Sequence, residues 1–371
     1  MSSSGEGPLP VTGAWRAGDP PGRRKWITGP GALSLEAGGS LPGYTLAYET
    51  WGTLNSDASN AVLVEHALTG DSHAVGPAGP GHVSAGWWGG LIGPGKALDT
   101  GEYFVVVPNV LGGCQGSTGP SSPDPDGRPW GSRFPSVTVR DQVVVEAALA
   151  DAIGISRWAA VLGGSMGGMR ALEWAVAQPS RVASVLVVAS TAAASAEQIA
   201  WASPQLHAIR SDPRYRGGDF YDALPGDGPH AGLGIARRIA HVTYRSEPEL
   251  AQRFGRTPQG DGRFAVESYL DHHADKLVRR FDAGSYAVLT ESMNTHDVGR
   301  GRGGVAAALE RVTARAVVAG VDSDRLYPVS QARDLARGLG VEAAVITSPY
   351  GHDSFLIETG QIAALVKGLL S

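Results

Sequence analysis

Short apolar runs alternate with helical segments along most of this chain, and this alternation constrains the possible fold more than any other feature. The runs are four to six residues long and are bounded by Gly, Asn or Pro, as expected for strands buried on both faces of a sheet. They cover residues 44–48, 61–64, 103–107, 158–162 and 185–188. Strands and helices in alternation predict a mostly parallel central sheet that is covered by helices.

Two segments between these runs have the pattern of helices. Residues 141–149 are long enough for a helix, and Gly154 stands where such a helix would end. Residues 167–178 place apolar side chains on one face, and Pro179 would end that helix. Both segments therefore support the α/β pattern.

The strand pattern stops near residue 191 and returns only near the end of the chain. Helical segments such as 264–281 alternate with loops in the intervening stretch. Apolar runs then reappear at 314–319 and 341–346. The simplest interpretation is one α/β domain that is interrupted by a helical insertion of about a hundred residues.

These patterns predict three regions. Residues 29–190 and 305–371 form the α/β core, and residues 191–304 form a helical lid. Residues 1–28 are rich in Ser, Gly, Pro and Arg and show no periodicity, so we expect a flexible tail that packs loosely or not at all.

Charge and composition exclude several classes of protein. The 371 residues carry 31 Lys and Arg against 36 Asp and Glu, a net charge of −5, which argues against a nucleic-acid partner. No apolar run reaches the roughly 18 residues of a membrane span, and the first residues lack a secretory signal. The single cysteine, Cys114, allows no intrachain disulfide. We expect a cytoplasmic protein without a membrane partner.

A candidate nucleophile lies directly after one of the predicted strands. Residues 163–167 read G-x-S-x-G around Ser165. Glycine makes up 52 residues of this chain, about twice its usual share, so the motif alone could arise by chance. Its position between an apolar strand and a helix is the setting of a nucleophile elbow. The alternative is a glycine-rich turn with a capping serine.

A serine nucleophile needs a base, and the base needs an acid. In α/β-hydrolase folds the order along the chain is Ser, acid, His. Of ten histidines only His352 follows the last predicted strands. Asp322 and Asp324 both lie after the preceding strand, and spacing alone does not choose between them. The alternative for His352 is an ordinary surface-loop histidine.

An acyl-transfer site also needs donors for the developing oxyanion. Residues 66–73 follow the early predicted strand at 61–64. The backbone amides of Leu68 in this loop and of Met166 after the serine would supply the two donors.

Three other signals do not support a site. Residues 90–97 resemble a P-loop but lack the Ser or Thr that binds Mg²⁺ and the preceding strand. His272 and His273 are adjacent, and adjacent helical residues point about 100° apart, so we predict no metal. Cys114 lacks a helix N-terminus or a basic neighbour that would activate its thiol.

Seven sequence blocks in order make the chain resemble the homoserine O-acetyltransferase family of α/β-hydrolase-fold acyltransferases, from about Leu41 onward. They are LAYETWGTLN (46–55), HALTGDSH (66–73), GPGKALDT (93–100), NVLGGCQGSTGP (109–120), GGSMGGM (163–169), SDRLYP (323–328) and YGHD (350–353). The resemblance implies an α/β-hydrolase fold and selects Asp324 as the acid. It also implies acetyl-CoA as co-substrate, no permanently bound cofactor, L-homoserine as acceptor, a homodimer and a role in methionine biosynthesis.

The resemblance further implies residues that bind the acceptor. Arg237 would clamp its carboxylate, because a guanidinium binds a carboxylate bidentately, with Arg238 as the competing choice. Asp353 would pair with the ammonium, and Tyr244 and Thr69 would add polar contacts. The arginines are scattered along the sequence, so no basic cluster marks the coenzyme A contacts.

The expected reaction is a ping-pong transfer through an acetyl-Ser165 intermediate. The nearest alternatives keep this chemistry and use succinyl-CoA as donor or serine as acceptor. An esterase of the same fold is a further alternative, and it would have no need for Arg237 and Asp353. A catalytically inactive binding module is the least favoured alternative, because all three triad residues are present in order.

Overall fold

The computed structural model describes residues 8–371, and ten strands and eleven helices can be followed in that part of the chain. The strands are β1 (Lys25–Thr28), β2 (Leu33–Ser34), β3 (Ser40–Leu41), β4 (Thr45–Trp51), β5 (Ala61–Glu65), β6 (Phe104–Pro108), β7 (Ala160–Gly164), β8 (Ser184–Val188), β9 (Arg315–Val321) and β10 (Ala343–Ile346). The helices are α1 (Val139–Ala152), α2 (Met166–Ala177), α3 (Ala196–Ser211), α4 (His230–Tyr244), α5 (Glu247–Phe254), α6 (Ala265–Val278), α7 (Ala283–Asn294), α8 (Val305–Leu309), α9 (Val329–Gly338), α10 (Ser354–Ile357) and α11 (Thr359–Leu370).

Eight strands form one central sheet in the order β1-β4-β6-β5-β7-β8-β9-β10. The six strands from β6 to β10 in this order run parallel, whereas β4 is antiparallel to both β6 and β1. Every residue of β5, β7 and β8 is buried, which explains their continuous apolar runs. The predicted mostly parallel sheet covered by helices is confirmed.

Capping and backbone hydrogen bonds determine where helices and strands begin and end. The apolar pattern predicts these positions only approximately. The helix predicted at 141–149 begins earlier, at α1, because Thr138 and Asp141 form a reciprocal capping box. Gly154 does follow this helix with a positive φ of 78°, as a helix-ending glycine should. The strand predicted at 341–346 begins later, at β10, because the Val341 amide instead donates to Ala336 at the end of α9.

Helices α3 to α7 lie between β8 and β9 and pack mainly on one another. Their shared core includes Leu233 and Ala236 of α4, Leu277 of α6, and Tyr286 of α7, all nearly inaccessible. Helices α4 and α6 pack on each other, and both line one cavity together with the segments that follow β5, β7 and β10. No helix in residues 8–371 is both long and apolar enough to cross a membrane.

The N-terminal segment does not match the loosely packed tail predicted for residues 1–28. Residues 1–7 lie outside the described residues, but the remainder packs against the body of the protein. Val11 is buried, and the Thr12 hydroxyl donates to Asp282 Oδ1 over 2.7 Å. The Arg24 guanidinium is also buried and donates to Gln115. Because these contacts depend on residues distant in sequence, composition alone could not indicate them.

One arginine, Arg170, is completely buried beside the end of the central strand β5. Arg170 of α2 places Nη1 2.8 Å from Glu146 Oε1 and 2.6 Å from Glu65 Oε2. Burial raises the pKa of Glu65 well above its usual range; Arg170 opposes this rise and Glu146 adds to it. The guanidinium of Arg170 therefore holds two buried carboxyl groups, those of Glu65 and Glu146, beside one another. Arg170 Nη2 also donates to the His66 carbonyl over 2.6 Å, which ties α2 to the end of β5.

Replacing Arg170 by Met should lower the free energy of unfolding by about 3–5 kcal/mol, because it leaves the buried carboxyl groups of Glu65 and Glu146 without their cation. A denaturant titration measures this difference. Arg337→Met is the matched control: it removes an exposed 2.8 Å pair with Asp334 and should cost less than about 1 kcal/mol. Equal costs for the two variants would contradict this account of the buried cluster.

Candidate active site

Ser165 sits on a strained turn between β7 and α2. Its φ of 57° and ψ of −125° are unfavourable for a residue with a side chain. A Cβ added to Gly163 would lie 2.1 Å from the Gly167 carbonyl oxygen. A Cβ added to Gly167 would lie 2.1 Å from the Glu65 carbonyl oxygen. The two glycines are therefore required for the strand and helix to approach, and the tight turn presents the serine hydroxyl.

The structure brings the three predicted catalytic side chains into one hydrogen-bonded chain. His352 Nε2 lies 2.8 Å from Ser165 Oγ, and His352 Nδ1 lies 2.6 Å from Asp324 Oδ2. All three residues are buried. Ser165 and Asp324 lie 159 positions apart in the sequence, and Asp324 and His352 lie 28 positions apart. With Nδ1–H donating to the carboxylate, Nε2 is free to accept the serine proton.

Asp324 is fixed in place by its second oxygen. Its Oδ1 accepts hydrogen bonds from the amides of Leu326 at 2.8 Å and Tyr327 at 2.9 Å. Asp322, the alternative from spacing, is exposed and accepts a bond from the Ser348 amide instead. The geometry therefore favours Asp324 as the partner of the histidine.

Aromatic packing orients the imidazole of His352. Tyr327 stacks on it with ring centroids 5.0 Å apart, and Phe355 meets it nearly edge-on at 5.5 Å. Burial alone would lower the pKa of His352, but the charge and hydrogen bond of Asp324 outweigh it and raise the pKa above its usual value. A buried imidazole with raised basicity beside a serine hydroxyl is suited to general-base chemistry.

The loop predicted to donate to an oxyanion is held rigidly beside the serine. The Val110 amide donates to His66 Nε2 over 3.0 Å, so His66 Nδ1–H donates to the Ala67 carbonyl at 2.8 Å. Leu68 follows and lines the same cavity as Ser165. Met166 is the first residue of α2, where backbone amides have no partner within the helix.

A cavity of about 340 Å³ opens above Ser165. The loop after β5, the turn after β7 and the segment after β10 form its floor, and side chains of α4 and α6 form a wall. All four predicted substrate-binding residues line this cavity, together with Leu68: they are Thr69, Arg237, Tyr244 and Asp353.

Arg237 projects a guanidinium with unused donors. Its Nε and Nη1 atoms are buried and have no hydrogen-bond partner within residues 8–371. The guanidinium carbon lies 5.4 Å from the ring centre of Tyr244. Arg238, the competing choice, instead bonds Asp271 at 2.7 Å and does not line the cavity. Because unsatisfied buried donors are costly, Arg237 is poised for an anionic ligand.

Asp353 lines the cavity and forms an ion pair that the sequence did not indicate. Its Oδ2 is 3.5 Å from Arg245 Nε. Burial raises the pKa of Asp353, although Arg245 and Arg237 oppose the rise. The carboxyl group therefore gains from a further cation in the cavity.

Sequence reasoning missed a set of basic side chains that share this cavity. Besides Arg237, the lining contains the basic residues His241, Arg245, His273, Lys276 and Arg280. On the sequence these look scattered, but those on α4 and α6 recur every three or four residues. That spacing places them on one face of each helix, so helical periodicity was the signal that could have found them.

A second cluster of ionisable groups lies outside the cavity. Ligand atoms of Glu49, His73 and His82 lie within 4.8 Å of one another. The two imidazoles stack with planes only 10° apart, so their in-plane lone pairs run side by side and do not converge on one ion. The Arg23 amide also donates to His82 Nε2. His73 Nδ1 lies 3.0 Å from Glu49 Oε2, whereas His82 Nδ1 is buried without a hydrogen-bond partner in residues 8–371.

Comparisons with known proteins agree on the fold and the family. Residues 60–359 match the model of the alpha/beta hydrolase fold. The homoserine O-acetyltransferase of Thermobifida fusca is 67% identical, with all of both chains covered, and that of Clavibacter michiganensis is 57% identical, covering 97% of this chain and 96% of the other.

Solved structures show the same architecture. The homoserine O-acetyltransferase of Bacillus anthracis superposes with a TM-score of 0.84 at 28% identity, covering 94% of this chain and 98% of that one. Esterase E22 superposes with a TM-score of 0.85 at 24% identity, covering 94% and 99%. The predicted α/β-hydrolase fold is confirmed, and the chain belongs to the homoserine O-acetyltransferase family of acyltransferases.

Proposed function

We propose that this chain transfers the acetyl group of acetyl-CoA to the side-chain hydroxyl of L-homoserine through an acetyl-Ser165 intermediate. The observation that carries the proposal is the hydrogen-bonded chain Ser165–His352–Asp324 opening into a cavity that also holds Arg237 and Asp353. The first set of groups can make and break an ester, and the second matches the two charges of an amino acid.

In the first half-reaction, His352 Nε2 takes the proton of Ser165 Oγ as that oxygen attacks the thioester carbonyl carbon. The Leu68 and Met166 amides hold the negative oxygen of the tetrahedral intermediate. The carbon–sulfur bond then breaks, and the departing thiolate takes the proton from His352. The products are free coenzyme A and an acetyl ester on Ser165.

In the second half-reaction, the acceptor occupies the space that the coenzyme has left. His352 removes the proton of its side-chain hydroxyl, and that oxygen attacks the acetyl carbon. The same two amides hold the second tetrahedral intermediate. Its collapse breaks the bond to Ser165 Oγ, which regains a proton from His352, and O-acetyl-L-homoserine is released.

Charge matching orients the acceptor. The free donors of Arg237 face the acceptor carboxylate, and Asp353 pairs with its ammonium. The Tyr244 hydroxyl and Thr69 add polar contacts from the same lining. This fit favours an acyl transferase over the esterase alternative, because an uncharged ester would leave both charges without partners. Succinyl-CoA as donor and serine as acceptor are outcomes that a substrate cross-comparison would reveal.

Family membership also supports three further parts of the proposal, which are the pathway, the compartment and the oligomeric state. The transferred acetyl group would commit homoserine to methionine biosynthesis in the cytoplasm, and the working form would be a homodimer. Light scattering of the purified protein tests the dimer directly, and a monomeric mass would contradict it.

Ser165→Ala should reduce acetyl transfer by at least about 10⁴-fold, because no covalent intermediate can form. The rate of homoserine-dependent thiol release from acetyl-CoA measures this loss. Ser84→Ala is the matched control, since Ser84 lines the same cavity outside the hydrogen-bonded chain, and it should retain near-normal turnover. Turnover by Ser165→Ala close to that of the control would refute the assignment.

The rate should depend on pH through His352, which must be neutral to accept the serine proton. Its pKa lies above the usual 6.5, so kcat/KM should fall as pH drops through a midpoint above that value. Asp324→Asn removes the charge that raises this pKa and leaves the burial that lowers it. The midpoint should therefore move to lower pH, with a rate loss of about 10⁴-fold.

Asp322→Asn is the control for this pH experiment, because Asp322 is exposed and, among residues 8–371, its side chain accepts a hydrogen bond only from the Ser348 amide. Its profile should overlay that of the wild type. A shift with Asp322→Asn and none with Asp324→Asn would reverse the choice of acid.

Arg237→Gln should raise KM for homoserine by roughly 30- to 100-fold, because the variant loses about one charge-assisted hydrogen bond to the acceptor carboxylate. The neighbouring Arg238→Gln should change KM less than about threefold, because Arg238 bonds Asp271 away from the cavity. Steady-state kinetics with varied homoserine separate the two. Equal effects would remove Arg237 from the acceptor site.

A further inference from the structure

The cavity above Ser165 carries more positive charge than the acceptor requires. Its lining contains four cationic side chains, Arg237, Arg245, Lys276 and Arg280, against the two carboxylates of Asp71 and Asp353. The chain as a whole has a net charge of −5. A positive cavity in an acidic protein attracts anionic ligands and raises their local concentration.

Two of these cations already have roles in the acceptor site. Arg245 pairs with Asp353 at 3.5 Å, and Arg237 faces the acceptor carboxylate in the proposed reaction. Lys276 and Arg280 remain without a role there. They lie four residues apart, at the end of α6 and just beyond it.

The solvent exposure of the lining residues increases from the floor of the cavity to its mouth. Ser165 and His352 are buried at 5% and 3% exposure, Arg280 is partly exposed, and Lys276 is exposed. Arg280 Nη1 donates to the Thr69 carbonyl at 2.7 Å, which aims the guanidinium along the loop beside the nucleophile. Lys276 therefore marks the mouth of the cavity, and Arg280 lies between the mouth and the reacting serine.

The Lys276 ammonium is available to a ligand. Across the described span from residue 8 to residue 371, it has neither an ion pair nor a hydrogen bond. Two neighbouring imidazoles do not add to the positive charge at neutral pH. Burial first, and then nearby cations, lower the pKa of His241 to about 2 and that of His273 to about 4. The charge at the mouth therefore belongs to Lys276 and Arg280.

We infer that Lys276 and Arg280 bind the phosphate groups of the acyl donor at the mouth of the cavity while its thioester reaches Ser165. This inference rests on the proposed use of acetyl-CoA. A thioester with a long uncharged arm and a phosphorylated end fits a site whose nucleophile is buried and whose cations lie toward the exit. A cavity of about 340 Å³ can hold the acyl end and the arm, so the phosphates remain at the opening.

The test compares donors with and without phosphates. Acetyl-CoA carries them, whereas the acetyl thioester of N-acetylcysteamine is uncharged and delivers the same acetyl group. Lys276→Gln should lower kcat/KM for acetyl-CoA about fivefold, the effect of one exposed charge pair, and Lys276→Glu should lower it further. Neither variant should change kcat/KM for the uncharged thioester by more than about twofold.

Lys367→Gln is the matched control, because Lys367 is an exposed lysine on α11 that does not line the cavity. It makes the same change in net charge and should leave both donors unaffected. The loss caused by Lys276→Gln should also shrink at high salt, since salt screens exposed charges.

Each outcome decides one question. An equal loss with both donors, or no loss with acetyl-CoA, would overturn the phosphate subsite. The wild-type protein is assayed before any variant. Its failure to transfer acetyl from acetyl-CoA to homoserine would overturn the proposed function.

Discussion

The strained turn at Ser165 is the constraint on which the rest of the site depends. Its unfavourable backbone conformation is maintained because Gly163 and Gly167 let β7, α2 and β5 approach within contact of one another's backbone. The same approach brings the loop after β5 beside the serine, and Arg170 secures it through the His66 carbonyl. The same backbone packing therefore positions the Ser165 hydroxyl and the two backbone amides that are proposed to stabilise the tetrahedral intermediate.

Buried charged groups in this protein lie beside groups of opposite charge. Arg170 pairs with the buried carboxyl groups of Glu65 and Glu146, and burial raises the pKa of Glu65, whereas His352 has a raised pKa because of Asp324. Around the cavity the positive charge is left unbalanced, which suits substrates that carry phosphates or a carboxylate. The chain as a whole has a net charge of −5, so this positive charge is a local property of the cavity lining.

Features written in local sequence could be predicted. The apolar runs identified the parallel strands, and strand-turn-helix context identified Ser165. The order Ser, acid, His along the chain selected His352 as the base. It left both Asp322 and Asp324 as candidates for the acid, and the family resemblance chose Asp324. The structure then showed the physical distinction, because only Asp324 reaches the imidazole.

Features that depend on distant contacts could not be predicted. The packing of Thr12 against Asp282 joins residues 270 positions apart, so the N-terminal segment looked unstructured. The basic cluster was missed because its members lie on two helices whose relative position no single segment encodes. Their spacing along α4 and α6 places the basic residues on one side of each helix. Only the packing of the two helices shows that these sides both line the cavity at Ser165.

The central claim is that the acetyl group rests covalently on Ser165 between donor and acceptor. Rapid mixing of the protein with acetyl-CoA in the absence of homoserine tests it most directly, with free thiol recorded over time. We predict a burst of about one thiol per chain, followed by slow release from hydrolysis, and discharge of the bound acetyl group when homoserine is added. Thiol release that begins only when homoserine is present would contradict the covalent intermediate.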